Sequence, residues 1–264
     1  MKGISTYTIA GLDALANEDA VWGNGDSTVG VALVLDGVTS PEPDTSGCCH
    51  GVPWFVKNMG DSIIAWLGSS RARQLSTEVL LAAIRSAITE TASKHRGECD
   101  LSYLNTPQAT IALAAWDETV VCIAVLCDSY AVVKTSDNSY VALTDPALLL
   151  IQKHAPDYGV RRYRNVPGGF HTLAADPSVT AFIRTWMKPR TQVQGLLLTT
   201  DGAARYVNEY HLGSWADLYK RVESSVESFV RTLREVEGAR HRLSGNKRSD
   251  DIAIAWVDFG TPGR

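Results

Sequence analysis

The stretch ATIALAAWDETVVCIAVLC, residues 109–127, contains two apolar runs separated by the tetrapeptide WDET. Each run, 109–116 and 120–127, has the length and composition of a strand that is buried on both faces. The polar residues between the runs predict a tight turn, so we expect an antiparallel hairpin here. A hairpin at this place argues against a regular alternation of parallel strands and helices.

Other segments of the chain extend this pattern. Apolar runs predict further strands at 4–10, 29–36, 130–134, 139–143, 195–200 and 252–257. Apolar residues spaced three or four apart predict helices at 52–67, 76–96 and 214–237, and another should start after Asp145-Pro146. Strands and helices are thus partly segregated, which indicates an α+β fold with antiparallel sheets. With no linker between two cores, residues 1–264 are predicted to form a single domain.

Composition and charge exclude several classes of protein. Hydrophobic residues make up 45% of the 264 residues and charged residues 20%, which argues against intrinsic disorder. With 25 basic and 29 acidic residues the net charge is −4, so we expect neither nucleic-acid binding nor an electrostatic membrane anchor. No run approaches the ~20 apolar residues of a membrane helix, and no secretory apolar segment is visible. A soluble, cytoplasmic protein is expected.

The cysteines predict buried thiols more than a disulfide framework. There are five, an odd number, and Cys122 and Cys127 lie in an apolar run. Cys48, Cys49 and His50 are adjacent and raise the alternative of a soft-metal site. Without distant partners recognisable in the sequence, that signal is weak. We therefore interpret these three residues as a loop leading into a helix.

Four acidic residues stand at the ends of apolar strands. Asp36, Asp128 and Asp201 follow such runs in LVLDG, VLCDS and LTTDG, and Asp250 precedes one in SDDIAIAWV. Each could be an ordinary turn residue. If the strand ends converge, however, the carboxylates repel one another unless cations neutralise them. Oxygen ligands favour Mg²⁺ or Mn²⁺, and two such ions about 4 Å apart can clamp a phosphoryl group.

A set of short motifs resembles a known family. NEDAVW (17–22), VLDG (34–37), TPQATIALA (106–114), CDS (127–129), LTTDG (198–202) and RSDDIAIAWV (248–257) occur in the order found in the PPM family. These are metal-dependent Ser/Thr phosphatases, also called protein phosphatases type 2C. The resemblance implies a four-layer α-β-β-α sandwich, with two antiparallel sheets between helical layers.

The resemblance also implies roles for the acids. Asp36 would bridge two Mn²⁺ or Mg²⁺ ions, the Gly37 carbonyl would bind one of them, and Asp201 and Asp250 would hold the other. The nucleophile would be a metal-bound water molecule, so no side-chain nucleophile is expected.

Three more acids would complete this centre. Glu18 and Asp19 would act at its edge, mostly through coordinated water. Asp128 stands where many members of the family hold a third, weaker ion.

Departures from the family pattern concern the phosphate contact. The Arg that often precedes the Glu of the NED motif by four residues is Ala14 here, and the final Asp-Asn is Asp250-Asp251. A phosphate dianion favours an Arg partner. The irregular, basic segment 155–171 offers Arg161, Arg162 and Arg164 as substitutes, and Arg205, three residues after LTTDG, is another.

Three functions remain open from the sequence. The leading hypothesis is a phosphatase acting on phosphoserine and phosphothreonine in proteins. The missing Arg motivates a second, in which the substrate is a small phosphorylated metabolite. A third is a low-activity regulatory or binding module with the phosphatase fold, which the retained acids disfavour.

Overall fold

The computed structural model describes residues 3–11, 16–39, 46–69, 74–95, 97, 99–154, 157–244 and 249–260. The strands are β1 Gly3–Ile9, β2 Ala20–Gly25, β3 Gly30–Val38, β4 Gln108–Trp116, β5 Val120–Leu126, β6 Tyr130–Thr135, β7 Tyr140–Leu143, β8 Arg184–Pro189, β9 Val193–Thr199 and β10 Ile252–Asp258. The helices are α1 Gly51–Ser69, α2 Thr77–Ser93, α3 Ala147–Gln152, α4 Asp201–Asn208, α5 Trp215–Ser224 and α6 Val226–Ser244. Short 3-10 helices lie at Asp157–Tyr163, Pro177–Phe182 and Arg190–Gln192. Among these residues, no helix is both long and apolar enough to cross a bilayer.

The strands form two five-stranded antiparallel sheets, in the orders β1-β10-β9-β6-β7 and β2-β3-β4-β5-β8. The predicted hairpin is confirmed, since β4 and β5 pair antiparallel with Trp116 opposite Val121. Asp117 closes its turn, because the Asp117 carboxylate accepts from the Thr119 and Val120 N–H groups at 2.7 and 2.9 Å.

Alternation along β3 shows how the layers form. Val31, Leu33 and Leu35 pack against α1 and α2, whereas Ala32 and Val34 face the other sheet. The opposite face of that other sheet packs against α4, α5 and α6 through a third apolar cluster. The arrangement is helices, sheet, sheet, helices, as the α-β-β-α prediction stated.

One predicted helix is wrong in its extent. The single helix at 214–237 is two helices, because the backbone of Ser225 is extended between them. Ser225 accepts from the Ser228 N–H at 3.1 Å, which caps the start of α6, and serine favours this position. The predicted start of a helix after Asp145-Pro146 is confirmed, because α3 begins at Ala147 with Pro146 as its cap residue.

The sequence did not predict two strands and one helix. β2 carries only three apolar residues, Ala20-Val21-Trp22, and β8 reads RTWMKP without alternation. Both are edge strands, so pairing with β3 and β5 forms them where local pattern does not. α4 is eight residues long, too short for a periodic signal.

Cys122 and Cys127 are 0% and 1% exposed, as predicted for buried thiols. Burial raises the pKa of Cys122 to about 12 and that of Cys127 well above its usual range. Thiolates, not thiols, react with alkylating reagents. With a maleimide at neutral pH, exposed Cys49 should therefore react at least about 100-fold faster than either buried thiol. Peptide mass spectrometry gives the rates, and labelling of Cys122 as fast as Cys49 would contradict this burial.

Candidate functional site

The antiparallel topology brings the acidic strand ends to one edge of the sandwich. β9 and β10 are neighbours, so the end of β9 lies beside the start of β10, and the Thr200 N–H donates to the Ala253 carbonyl at 3.1 Å. Asp201 directly follows this point and begins α4, while Asp250 precedes β10. Asp36 belongs to the face of β3 that is turned toward the same sheet, since it continues the alternation of Ala32 and Val34.

These acids share one cavity of about 330 Å³. Its acidic lining consists of Asp36, Asp128, Asp201 and Asp250, and Gly37 also contributes. The predicted convergence of strand ends is thus present in the structure. The role of these residues as metal ligands stays a prediction.

Crowded negative charge dominates this cavity. Burial raises the pKa of Asp36 well above its usual range, and the charges of Asp19, Asp201, Asp128 and Asp250 raise it further. Burial also raises the pKa of Asp128, with Asp250 adding to the effect. A divalent cation relieves such repulsion, and carboxylate and carbonyl oxygens are the donors that Mg²⁺ and Mn²⁺ prefer. The donor set therefore fits these ions.

The additional carboxylate, that of Asp251, accepts hydrogen bonds from the backbone. Its two oxygens accept from the Gly11 and Glu18 N–H groups, both at 2.7 Å. Asp251 thereby fastens the segment carrying Glu18 and Asp19 to the start of β10. The Glu18 carboxylate accepts from the Thr39 hydroxyl at 2.5 Å.

Gly37 is required where this segment crosses β3. A Cβ atom at Gly37 would lie 2.5 Å from the Glu18 carbonyl oxygen, closer than real Cβ contacts. The absence of a side chain lets the Glu18-Asp19 segment approach Asp36. Asp19 itself is buried, at 7% exposure, so its charge acts on Asp36 through little solvent.

A family comparison gives the site its context. The model of the family described as "Protein phosphatase 2C" matches residues 13–252, which is most of the chain. The chain belongs to the protein phosphatase 2C family. This confirms the resemblance drawn from the ordered motifs. A comparison with curated proteins found no match.

Solved structures of bacterial phosphatases have the phosphatase 2C fold seen here. Stp1 from Staphylococcus aureus is 18% identical with a TM-score of 0.61, over 98% of this chain and 95% of that one. PstP/Ppp from Mycobacterium tuberculosis is 14% identical with a TM-score of 0.62, over 97% and 98%. A catalytic domain of PstP in complex with two manganese ions is 13% identical with a TM-score of 0.59, over 97% and 96%. At these identities the likeness shows the fold.

The structure brings two of the four candidate phosphate-binding arginines to the phosphatase 2C cavity. Arg161 and Arg164 line it. Arg162 instead donates to the Tyr163 hydroxyl at 3.1 Å. Arg205 is held by Glu209 at 2.7 Å and by buried Glu237 at 3.3 Å, so its charge is already paired outside the cavity wall. Ala14, which stands in place of the Arg of the family pattern, lies outside the described residues.

The segment carrying these arginines is more ordered than its sequence indicated. An irregular, exposed loop was expected at 155–171, but Asp157–Tyr163 is a 3-10 helix and Phe170 is buried. Beyond it, the Thr172 hydroxyl donates to the Gln108 side chain at 2.6 Å, and the Thr172 N–H donates to Asn165 at 2.9 Å. These contacts join the segment to β4.

Arg164 is the cation placed best in the cavity. Its side chain is half-buried, and its Nε has no hydrogen-bond partner among the described residues. Burial lowers the pKa of Arg164, while the nearby Cys127 and Asp128 oppose that shift. A guanidinium remains charged in proteins, so Arg164 presents an available cationic donor beside the acids.

Sequence reasoning missed polar residues that line the cavity, among them Thr110, Gln152 and Thr172. Thr110 lies opposite Asp36 in the β3–β4 register and lines the cavity. Its hydroxyl is 2.6 Å from that of Ser129, both being buried. The signal was present, because Thr110 stands within TPQATIALA and interrupts an otherwise apolar strand.

Proposed function

We propose that this chain is a divalent-metal-dependent phosphatase that hydrolyses phosphoserine and phosphothreonine in proteins. The observation that carries the proposal is the cavity in which four acids and two arginines converge. Family membership supports phosphoester hydrolysis, and Stp1 and PstP are described as serine/threonine phosphatases. The two manganese ions reported with PstP support metal dependence here.

In this proposal two Mn²⁺ or Mg²⁺ ions are held by oxygen ligands. Asp36 would be shared between them, with the Gly37 carbonyl, Asp201 and Asp250 completing the direct contacts. Asp19 and Glu18 would contribute through ordered water, and Asp128 would hold a third, weaker ion. When bound, such ions supply Lewis acidity and lower the pKa of a water molecule.

The protein's own groups bind and orient the substrate. Arg164 and Arg161 would bind the phosphoryl oxygens opposite the acids, because guanidinium groups match the geometry of phosphate. Asp251 fixes the position of Glu18 through its backbone contacts. No side-chain nucleophile is invoked.

The function is tested by hydrolysis assays on the purified protein. p-Nitrophenyl phosphate should be hydrolysed with Mn²⁺, activity should stop with EDTA, and excess Mn²⁺ should restore it. Phosphopeptides carrying phosphoserine or phosphothreonine should be better substrates than a panel of phosphorylated metabolites. If the metabolites are the better substrates, the enzyme is a phosphatase for small phosphorylated metabolites. If no substrate is hydrolysed with any metal, the chain is a regulatory or binding module.

Two further expectations, about cellular location and binding partners, stay predictions from the sequence. These are location in the cytoplasm and the absence of nucleic-acid and membrane binding.

A further inference from the structure

A cluster of thiols and imidazoles lies apart from the acidic cavity, between the residues before α1 and those after α2. One donor atom from each of Cys48, His50, His95 and Cys99 lies within 4.8 Å of the others. Cys48, Cys49 and His50 lie in the loop before α1, as interpreted from the sequence, but the expectation that they have no distant partners is wrong. His95 and Cys99 are those partners, about fifty residues further along the chain.

The distances in this cluster match a tetrahedral metal site. With Zn–S of about 2.3 Å and Zn–N of about 2.0–2.1 Å, tetrahedral sulfur and nitrogen ligands lie about 3.6 Å apart. The His50 Nδ1 atom is 3.7 Å from the Cys48 Sγ and 3.5 Å from the Cys99 Sγ. These two separations are close to the edges of such a tetrahedron, and the other pairs of donor atoms lie within 4.8 Å of one another.

His95 has the orientation of a metal ligand. Its Nδ1 atom is 3.0 Å from the Thr91 carbonyl oxygen and 3.2 Å from that of Ala92. Carbonyl oxygens only accept, so Nδ1 carries the proton and the lone pair is on Nε2. That Nε2 is buried without a hydrogen-bond partner in the described part of the chain, and His95 is 5% exposed. Donation from the second ring nitrogen to a backbone carbonyl is the arrangement that fixes metal-bound histidines.

The surroundings of the cluster support thiolate and imidazole ligands. The backbone N–H of His50 points at the Cys48 Sγ from 3.4 Å and orients that sulfur within the cluster. The Trp54 ring packs on both imidazoles, with centroids 4.1 Å from His50 and 4.9 Å from His95. This apolar wall limits solvent access to the ligands.

We propose that Cys48, His50, His95 and Cys99 bind one Zn²⁺ ion in a structural site. Two thiolates and two imidazoles suit Zn²⁺, whereas Mg²⁺ and Mn²⁺ prefer oxygen ligands. Four protein ligands leave no open position, which is typical of structural sites. The ion would tie the segment entering α1 to the end of α2, and binding would release the thiol protons.

Cys49 serves as the matched control. Its Sγ lies 3.6 Å from the His50 Nδ1 and 3.7 Å from the Cys99 Sγ, but it is exposed and outside the group of four. A Cys49→Ser variant should keep zinc, whereas Cys99→Ser and His95→Ala each remove a ligand. Loss of a direct ligand should weaken Zn²⁺ binding by more than about 100-fold, since even outer contacts contribute 10–100-fold.

The test uses the full chain, reduced, stripped by chelator and then titrated. Competition against a chromophoric chelator measures Zn²⁺ affinity, and Co²⁺ substitution reports ligand type through thiolate-to-metal charge-transfer absorption. We expect one tight Zn²⁺ per chain, the cobalt band in wild type and Cys49→Ser, and an unchanged band in Asp36→Asn. The last result separates this site from the acidic cavity.

Several results would overturn the assignment. These are a reduced wild-type protein with no tight zinc and no charge-transfer band, or a His95→Ala variant with wild-type zinc affinity. A band lost in Asp36→Asn would also overturn it. Because the cobalt spectrum of wild type needs no substitution, the proposal remains testable if a ligand variant fails to fold.

Discussion

Asp36→Asn should lose about 10³-fold in Mn²⁺-dependent hydrolysis of p-nitrophenyl phosphate, because metal ions contribute several kcal/mol to charge stabilisation. In the proposed centre Asp36 would help to hold both ions, so its replacement would affect both. The same variant should raise the melting temperature of the metal-free protein at neutral pH. Lower activity together with a higher melting temperature is expected if the Asp36 carboxylate destabilises the metal-free fold and serves to bind a cation.

The sign of the stability change follows from the pKa of Asp36. Burial and four neighbouring acids raise that pKa in the folded protein, so folding disfavours the ionised form. The penalty appears as pH rises above the ordinary pKa of aspartate and is complete once pH passes the folded-state value. The asparagine variant has no such penalty. Its advantage should therefore be present at pH 7 and disappear at pH values below about 4.

Asp251→Asn is the matched control for this experiment. The Asp251 oxygens accept two backbone N–H groups, and an amide offers only one acceptor oxygen for them. This control should keep activity within a few-fold and lower the melting temperature of the metal-free protein. Each 1 kcal/mol corresponds to roughly 2–4 °C for a chain of this size. Turnover near wild type in Asp36→Asn, or a lower melting temperature at pH 7, would remove Asp36 from the metal centre.

Arg164→Ala should raise the KM for phosphopeptides by about 10–100-fold and change kcat much less. A charge-assisted hydrogen bond contributes about 1.5–3 kcal/mol, which corresponds to that range. The contact is made in the ground state as well as the transition state, so its loss acts mainly on KM. Arg164 lines the cavity beside the acids, where its guanidinium can donate to a phosphoryl oxygen.

Arg162 and Arg205, the two candidate arginines that do not line the cavity, serve as comparisons. Arg162 contacts Tyr163 and Arg205 is paired with Glu209 and Glu237, so Arg162→Ala and Arg205→Ala should leave KM within about twofold. Steady-state kinetics of the three variants on one phosphopeptide series measures these changes in KM. If Arg164→Ala keeps wild-type KM and kcat on every substrate, the phosphate is bound without this residue.

Much of the fold could be predicted from local pattern because its strands are buried on both faces. β3, β4, β5 and β9 are continuous apolar runs, and their polar ends mark the turns. β8 carries no comparable pattern, because an edge strand with one partner needs less apolar surface. The break at Ser225 is a backbone cap whose effect depends on how α5 and α6 pack, and helical periodicity continues across it.

The sequence by itself determined the acids of the candidate site, since each stands where an apolar strand starts or stops. Only the tertiary structure decided which arginines reach the cavity and which cysteines and histidines lie together. Arg164 and Arg205 are equally basic in sequence, yet Glu209 and Glu237 pair with the latter and the cavity receives the former. Cys48 and His50 meet His95 and Cys99 because α1 and α2 pack side by side. Contacts between residues distant in the chain follow from packing, for which one sequence carries no local signal.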